Sequence, residues 1–375
     1  MPHNAPVAPA APKAPAAPKA PVAPVAPKAP VALVSLCIVA YREAKVIEDL
    51  FAALVAQDFP HEKIEIVFVD GLSDDGTKTL MERFAAENHG FHQVKVLDNP
   101  KRILPCGLNI AFSNSSGQAV IRVDAHAYIP PEFVRKNLET LESGEDVCGG
   151  LRPVTLDKHS EHSPWAQTLL AAEESIFGSS VASYRRNVKP RSVKSVFHAC
   201  YRREVLDTVG LFNERLARTE DNEFNYRVRK NGFRIWFNPE IISRQYARPT
   251  FRGMIKQKTG NGYWIGRTLF VCPLALSLYH FAPLAFVSAI VAGIICGTLL
   301  SWTPLIALTC LYALVDVTFS CLAARSAKRK TPLLFMLPSI ILMLHLAYGA
   351  GTLAGLLSGL IPSTAPQKAV LSKAD

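Results

Sequence analysis

The apolar stretch "QAVIRVDAHA" (118–127) ends in a carboxylate and an imidazole two positions apart. On an extended backbone, alternate side chains point the same way, so Asp124 and His126 could hold one metal ion together. Hard divalent cations prefer oxygen ligands, and Mn²⁺ accepts an imidazole more readily than Mg²⁺ does. The alternative is that Asp124 caps the following turn and His126 is an ordinary exposed side chain. The spacing favours a site for Mg²⁺ or Mn²⁺ but does not by itself decide between these interpretations.

Two further motifs bring acidic side chains to the ends of predicted elements. In "VDGLSDDGT" (69–77), Asp70 ends an apolar run and is followed by a glycine turn and by residues suited to capping a helix. In "RTEDNEF" (218–224), Glu220 and Asp221 begin an amphipathic helix, whose dipole favours their ionised form. An ionised carboxylate is what a general base requires.

The elements that would position these residues alternate between strand and helix. Apolar runs such as "LVSLCIVA" (33–40) and "IEIVFVDG" (64–71) are separated by segments of helical periodicity, such as "EAKVIEDLFAALVAQ" (43–57). This order predicts right-handed crossovers and an α/β, Rossmann-like fold with a mostly parallel sheet. Ligands of such sheets bind beyond the carboxyl ends of the strands, where Asp70 and Asp124 are predicted to lie.

Composition limits the partners and the compartment. The 375 residues carry a net charge of +10, which suits phosphate groups or an acidic membrane surface, and no nucleic-acid-binding motif is recognisable. The eight cysteines show no Cys-x-x-Cys spacing, which favours reduced thiols in a reducing compartment. Residues 1–32 are rich in Pro, Ala and Lys, which predicts a disordered leader and is incompatible with the apolar core of a signal peptide.

The last third of the chain has the pattern of a membrane protein. No Asp, Glu, Lys or Arg occurs between Arg267 and Asp316, a stretch well above the ~20 apolar residues that a spanning helix needs. We predict spans near 273–300, 304–325 and 333–361, within a membrane region at 268–362 that precedes a short tail (363–375). The loop "ARSAKRK" (324–330) has four basic residues, which predicts that it and the N-terminal domain (33–243) are cytoplasmic. Asp316, in mid-span, is expected to pair with His280 or His345 on a neighbouring helix.

The segment 244–267, between the predicted domain and the first span, mixes basic and aromatic residues. This mixture is typical of a helix that lies on lipid headgroups, and an ordinary linker is the alternative.

Five motifs in one order give a specific resemblance. The sequence "IVAYREA", "VDGLSDDGT", "VDAHA", "FHACYRREVLDTVGLFNE" and "TEDNEF" resembles the family 2 inverting glycosyltransferases of GT-A fold, in particular the ExoA-like enzymes of succinoglycan biosynthesis. The resemblance covers roughly residues 33–266. It departs from the family in two places, since Asp70 is followed by glycine where the family often has a second acid, and His126 replaces the second acid of the Asp-x-Asp motif.

The resemblance implies a role for each matching residue. Tyr41, Glu43 and Asp70 would line the pocket of a nucleoside diphosphate sugar. Asp124 would bind the donor diphosphate through a divalent metal, with His126 as a second ligand. Asp221 would be the catalytic base, and three further residues, His198, Ala199 and Glu220, would face the cleft between donor and acceptor.

The function implied is that of a membrane-anchored enzyme of the inner membrane. It would transfer a hexose, most simply from UDP-glucose, to a lipid-linked saccharide in exopolysaccharide assembly. The alternatives are a catalytically silent scaffold of a polysaccharide assembly complex, or a glycosyltransferase with another donor or acceptor, such as a polyprenyl-phosphate sugar transferase. The sugar, the linkage and the oligomeric state have no readable signature in the sequence.

Overall fold

The structure is a computed structural model that describes residues 26–87, 89–156, 160–178, 189–248 and 250–360. Most of the predicted leader (1–32) and the whole predicted tail (363–375) lie outside the described residues. The described end of the leader is bonded to the domain, because the Val31 and Ala32 N–H groups donate to Glu142 (2.9 Å) and Gln118 (2.6 Å). These two residues of the predicted leader therefore contact the domain.

The described residues form strands and helices in alternation through the first half of the chain. The strands are β1 (Val34–Ala40), β2 (Ile64–Asp70), β3 (Gln93–Asp98), β4 (Ala119–Asp124), β5 (Ala127–Tyr128), β6 (Val147–Leu151), β7 (Val154–Thr155), β8 (Arg191–Ser192), β9 (Phe197–Arg202), β10 (Ile235–Ile242) and β11 (Arg244–Tyr246). The helices are α1 (Ile47–Val55), α2 (Thr77–Glu87), α3 (Leu104–Ser113), α4 (Phe133–Glu142), α5 (Pro164–Glu174), α6 (Arg203–Val209), α7 (Glu220–Lys230), α8 (Phe251–Thr268), α9 (Ala282–Leu299), α10 (Thr303–Ser326) and α11 (Leu337–Leu360).

The main sheet has the order β3-β2-β1-β4-β9-β6-β10-β8. The pairs β2–β3, β1–β2, β1–β4 and β6–β10 are parallel, which confirms the predicted mostly parallel α/β sheet. Strand β9 runs antiparallel between β4 and β6, a feature that the alternation of elements did not predict. A second sheet, β5-β11-β7, lies where the chain leaves the domain.

The sheet is buried on both faces. Helices α1, α2 and α4 contribute to the core on one face, where Phe51, Phe68 and Phe84 meet, and α3, α6 and α7 contribute to the core on the other face. Because neither face of these central strands contacts water, β1 and β2 are apolar at most consecutive positions, with Ser35, Glu65 and the terminal Asp70 as buried exceptions. A rigid, doubly covered sheet is what holds its strand ends in fixed positions.

Among the described residues, three helices are long and apolar enough to cross a membrane, as predicted. They occupy Leu278–Leu299, Thr303–Ser326 and Pro332–Leu360, the first and third beginning with a short 3₁₀ turn. The predicted interfacial segment contains α8, which packs along α11. A Cβ added at Gly262 would lie 2.0 Å from the Tyr348 carbonyl oxygen, so the two backbones are in direct contact.

The predicted helix-to-helix pairing of Asp316 is wrong. Its carboxylate accepts from the Ser320 hydroxyl of the same helix at 3.3 Å. His345 instead contacts the Tyr312 hydroxyl at 2.9 Å, and His280 bonds within its own turn at Ser277. The hydrogen-bond partner of Asp316 is therefore a residue one helical turn away on α10.

Candidate active site

Two loops, each following the carboxyl end of a strand, are bonded to one another. After β1, the N–H of Arg42 donates to Ser73 Oγ at 2.9 Å, and that of Glu43 donates to Thr77 Oγ1 at 2.9 Å. Arg42 and Leu72, one in each loop, have left-handed backbones with φ of 56° and 57°. These two conformations are strained for residues other than glycine and persist because the surrounding bonds hold them. The loops therefore form a rigid wall at the edge of the sheet.

Asp70 lies at the base of this wall with its side chain buried. Its Oδ2 accepts from the Ser73 N–H at 2.8 Å, whereas Oδ1 has no hydrogen-bond partner among the described residues. A buried carboxylate oxygen without a donor is costly, so this atom is suited to accept a hydrogen bond from a ligand. Tyr41 covers the following turn, because a Cβ added at Gly71 would lie 3.0 Å from its ring. Glycine in place of the family's second acid gives room for that ring.

Asp124 lies two strands from Asp70 at the same edge. Strand β1 separates them, with Ala40 paired to Asp70 and Val39 paired to Asp124. Two interstrand spacings place the two backbones about 10 Å apart. The structure therefore brings the predicted nucleoside acid and the predicted diphosphate acid to one rim.

Three basic groups surround the Asp124 carboxylate. Arg122, two positions earlier on β4, donates to Asp124 Oδ1 from Nε and Nη2 at 3.3 Å each. His198 Nε2 lies 3.7 Å from Asp124 Oδ2 and accepts from the Asp124 N–H at 3.2 Å. Burial alone would raise the pKa of Asp124, but the Arg122 guanidinium, with the histidines His198 and His126 adding to it, holds the pKa well below its ordinary value. Asp124 is therefore a carboxylate at neutral pH.

Arg122 also contacts the start of α7. Arg122 was not among the site residues predicted from the sequence. Its Nη1 donates to Glu220 Oε1 at 3.1 Å, so one guanidinium joins the Asp124 strand end to the "TED" turn. Burial raises the pKa of Glu220 and Asp221 adds to the rise, against the lowering effect of Arg122. The available signal was an arginine within an otherwise apolar strand, because a buried guanidinium requires carboxylate partners.

Asp221 follows Glu220 in the first turn of α7, and its side chain lines a large cavity of about 1040 Å³. Thr219, just before the helix, is left-handed with φ of 64°, and its hydroxyl contacts Thr268 Oγ1 of α8 at 2.6 Å. The start of α7 is thus bound to α8 on one side and to Arg122 on the other.

The remaining predicted cleft residues differ in where they lie. His198 is buried beside Asp124, with a left-handed backbone (φ 46°) and with Nδ1 lacking a partner among the described residues. Burial lowers the pKa of His198, against the raising effect of Asp124. The prediction for Ala199 is wrong, since its side chain packs into the apolar core between the sheet and α6–α7 and does not face the cleft. Successive side chains of β9 point to opposite faces, so the two residues cannot share the cleft.

Asp124 is better suited than His126 to contact a divalent cation, although Arg122 and His198 already lie beside its two oxygens. The described residues contain no group of three or more His, Cys, Asp or Glu side chains arranged to hold a metal. Cations bound with a nucleotide usually take one or two carboxylates from the protein and the other ligands from phosphate and water, which Asp124 can satisfy. Both ring nitrogens of His126 are engaged, Nδ1 with Glu43 Oε1 at 3.0 Å and Nε2 with Gln245 Nε2 at 3.3 Å. His126 can bind a metal only by giving up one of these contacts.

The pKa of His126 also makes it a weaker metal ligand. Burial would lower its pKa, but Glu43 and then Asp124 outweigh burial and raise the pKa above its ordinary value. A histidine that holds its proton more tightly is a poorer metal ligand, because the metal must compete with that proton.

Part of the chain matches a known family model. Residues 35–210 match the family model described as "Glycosyl transferase family 2". The dolichyl N-acetyl-alpha-D-glucosaminyl phosphate 3-beta-D-2,3-diacetamido-2,3-dideoxy-beta-D-glucuronosyltransferase of Methanococcus voltae is 26% identical over 87% of this chain and 98% of its own length. The succinoglycan biosynthesis protein ExoA of Rhizobium meliloti is 28% identical over 71% of this chain and 77% of its own length.

The fold has a solved counterpart. The mannosyltransferase PcManGT from Pyrobaculum calidifontis, in complex with GDP-Man and Mn²⁺, aligns with a TM-score of 0.58 and 18% identity over 88% of this chain and 89% of its own. At this identity the likeness concerns the fold alone, and it confirms the GT-A architecture.

Proposed function

We propose, on the premise that residues 35–210 form a family 2 glycosyltransferase domain, that the chain is a membrane-anchored inverting glycosyltransferase. Its donor would be a nucleotide sugar, most simply UDP-glucose, and its acceptor a lipid-linked saccharide in exopolysaccharide assembly. One observation carries the proposal. Arg122 bonds to both Asp124 and Glu220, which places the strand end that would hold the donor beside the helix that carries Asp221.

The donor half of the site would be the rim between β1, β2 and β4. Asp70 Oδ1 would accept a hydrogen bond from the nucleoside, and Tyr41 and Glu43 would complete the pocket wall. Asp124 would hold a divalent cation, with His126 joining only if its ring leaves Glu43 or Gln245. When bound, such a cation neutralises charge that develops on the departing diphosphate. The Arg122 guanidinium adds fixed positive charge beside the same carboxylate.

Asp221 would act as the general base. It would accept the proton of the acceptor hydroxyl while that oxygen bonds to the anomeric carbon, and the bond from this carbon to the diphosphate oxygen would break with its electron pair leaving on the diphosphate. A single displacement from the opposite face inverts the anomeric centre. Glu220 is less suited to this role, because its carboxylate is already bonded to Arg122 and buried.

The membrane part would hold the domain at the cytoplasmic face of the inner membrane. Three helices of spanning length follow the domain, and four basic residues lie between the second and the third. Membrane lipids would then surround α9–α11, and the acceptor lipid would approach the site from the bilayer. A role within a larger polysaccharide assembly complex is part of the same proposal.

The experiment is a transfer assay with purified full-length protein, labelled nucleotide sugars and lipid-linked acceptors, with release of the nucleoside diphosphate as the readout. Asp221→Asn and Asp124→Ala should each lower the rate by about 10²–10⁴-fold, the contribution of a positioned acid–base or electrostatic group. The matched control is Asp207→Asn, which changes an exposed acid on α6. Full activity of both site variants would refute the assignment, and a wild-type protein that releases no nucleoside diphosphate from any donor would favour the scaffold.

A second candidate is a polyprenyl-phosphate sugar transferase, which the basic residues of the cavity beside Asp221 support. A phosphate oxygen is already ionised at neutral pH and needs no base, unlike a sugar hydroxyl. Asp221→Asn should therefore abolish transfer to a saccharide hydroxyl but largely spare transfer to polyprenyl phosphate. Comparing the two acceptors in this one variant separates the candidates.

A further inference from the structure

The cavity that Asp221 lines extends from the catalytic domain to the membrane helices. Its volume is about 1040 Å³, and its lining includes residues of α7, α8, α9, α10 and α11. A volume of this size is at the upper end of small-molecule sites, and a second cavity between α9 and α10 has about 350 Å³ and no charged lining residue. The larger cavity, in contrast, is lined by both charged and apolar residues.

The polar end carries an excess of positive charge. Five basic residues line it, namely Arg191, Lys194, Arg218, Arg229 and Lys258, whereas Asp221 is the single acid among the lining residues that the structure describes. Such an imbalance attracts an anionic group.

Three of these cations have neutral partners. Arg218 donates to Asn261 Oδ1 at 2.9 Å, Arg229 to the Asn225 carbonyl at 3.1 Å, and Lys194 approaches Ser277 Oγ at 3.5 Å. Within the described ranges, none of the three has a carboxylate within 4.0 Å. Burial lowers the pKa of Arg218 and Arg229, so an anion beside them would offset the cost of their buried charge.

The other end of the cavity is apolar and aromatic. Phe286 of α9 stacks on Tyr312 of α10 with ring centroids 4.2 Å apart, and Leu344 and Tyr348 of α11 complete this end. These residues belong to the helices that are apolar enough to cross a membrane. A ligand that fills the cavity must therefore carry an anionic head and an apolar chain.

We propose that this cavity binds the phosphate and the first part of the chain of a phosphorylated isoprenoid lipid, the carrier of the acceptor. The phosphate would contact Arg218, Arg229 and Lys194, the chain would leave past Phe286 into the bilayer, and the carried sugar would reach Asp221. This inference rests on the proposed function, since it assigns the acceptor half of the same site.

The test of the polar end is a binding measurement that does not need turnover. Full-length protein in phosphatidylcholine nanodiscs is titrated with radiolabelled polyprenyl diphosphate and polyprenyl phosphate. Arg229→Gln and Lys194→Gln should each weaken binding of the phosphorylated lipid by about tenfold or more, the usual effect of losing a charged hydrogen bond. The matched control is Lys230→Gln, which removes an exposed cation next to Arg229 in sequence. Lys194 is itself exposed, so its variant keeps the test valid if Arg229→Gln fails to fold.

The apolar end is tested by blocking it. Ala282 and Ala285 are both exposed on α9, but Ala282 lines the cavity and Ala285 does not. Ala282→Trp should reduce polyprenyl diphosphate binding at least tenfold, and Ala285→Trp should leave it unchanged.

The outcomes separate this inference from the proposed function. Unchanged lipid binding in Arg229→Gln, Lys194→Gln and Ala282→Trp would overturn it, as would equal displacement of the labelled lipid by phosphatidylglycerol, which would indicate a general lipid groove. UDP binding, measured in the same samples, should be unaltered by all three variants. If the wild-type protein does not bind UDP, the result counts against the proposed function and not against the lipid site.

Discussion

Replacing Arg122 with glutamine should destabilise the protein more than replacing any exposed arginine. Its guanidinium is held between Asp124 and Glu220, with contacts of 3.3 Å and 3.1 Å, and its side chain is only 13% exposed. Glutamine keeps a polar side chain of moderate length but removes the charge, which leaves two carboxylates in a poorly solvated site without a compensating cation.

The expected magnitude follows from burial. Removing one partner of a buried ion pair costs about 3–5 kcal/mol, because the remaining charge is uncompensated. For a domain of this size, about 2–4 °C of melting temperature corresponds to each kcal/mol, so the shift should be about 6–20 °C. The matched control is Arg135→Gln, which also breaks contacts to two acids, Asp58 and Glu139, but from a side chain that is 39% exposed. Exposed pairs contribute about 0–1 kcal/mol, so the control should shift by only a few degrees.

The assay is thermal unfolding in detergent at several pH values. Without Arg122, the folded-state pKa values of Asp124 and Glu220 should rise above their unfolded values. A carboxyl group whose pKa is raised on folding makes the folded state less stable as pH rises through that pKa. The loss of stability in the variant should therefore be complete at pH 7.5 and should shrink on acidification toward pH 5. In the wild type, the pKa of Asp124 is held low, so its stabilising contribution persists until pH falls below the ordinary range of a carboxyl group.

A melting temperature for Arg122→Gln equal to that of Arg135→Gln at pH 7.5 would refute the reasoning. So would a deficit independent of pH, since the cost would then come from lost packing and not from unpaired charge.

Three further predictions concern separate parts of the molecule. Gly262→Ala should destabilise the protein by about 1–3 kcal/mol in the same thermal assay, because the new Cβ would lie 2.0 Å from the Tyr348 carbonyl oxygen. The control is Gly260→Ala on the same helix, where a Cβ would lie an ordinary 3.7 Å from Arg218, and this variant should be neutral or slightly stabilising. Asp70→Asn should weaken UDP binding by about tenfold in calorimetry, whereas Asp98→Asn on the neighbouring strand should leave it unchanged. Equal UDP affinity of the two variants would contradict the nucleoside role of Asp70. Chelation with EDTA should abolish transfer and added Mn²⁺ or Mg²⁺ should restore it, while undiminished transfer in EDTA would exclude the proposed cation.

Much of the architecture could be predicted because it depends on patterns along the chain. Strands covered on both faces must be continuously apolar, and their carboxyl ends must share one rim when they run parallel, so the positions of Asp70 and Asp124 followed from the runs before them. The three apolar helices followed from length and the absence of charge. These are properties that each segment has before it meets any other segment.

The contacts across the sheet could not be predicted in this way. That Arg122 joins Asp124 to Glu220 depends on β9 entering antiparallel beside β4 and on α7 packing against the same face, neither of which leaves a periodic pattern. The same holds for His126, whose spacing suggested a metal ligand although Glu43, from a distant loop, engages its ring.

Sequence by itself therefore determined the first apolar strands, which helices are apolar enough for a membrane, and that Asp70 and Asp124 end strands. Tertiary structure alone decided which charges neutralise one another and which remain open to a ligand. The physical reason is sequence separation. Hydrophobic periodicity is a local property of the chain, whereas many partners of the buried charges, such as Glu220 for Arg122 and Glu43 for His126, are tens of residues away and come within a few ångströms only in the folded chain.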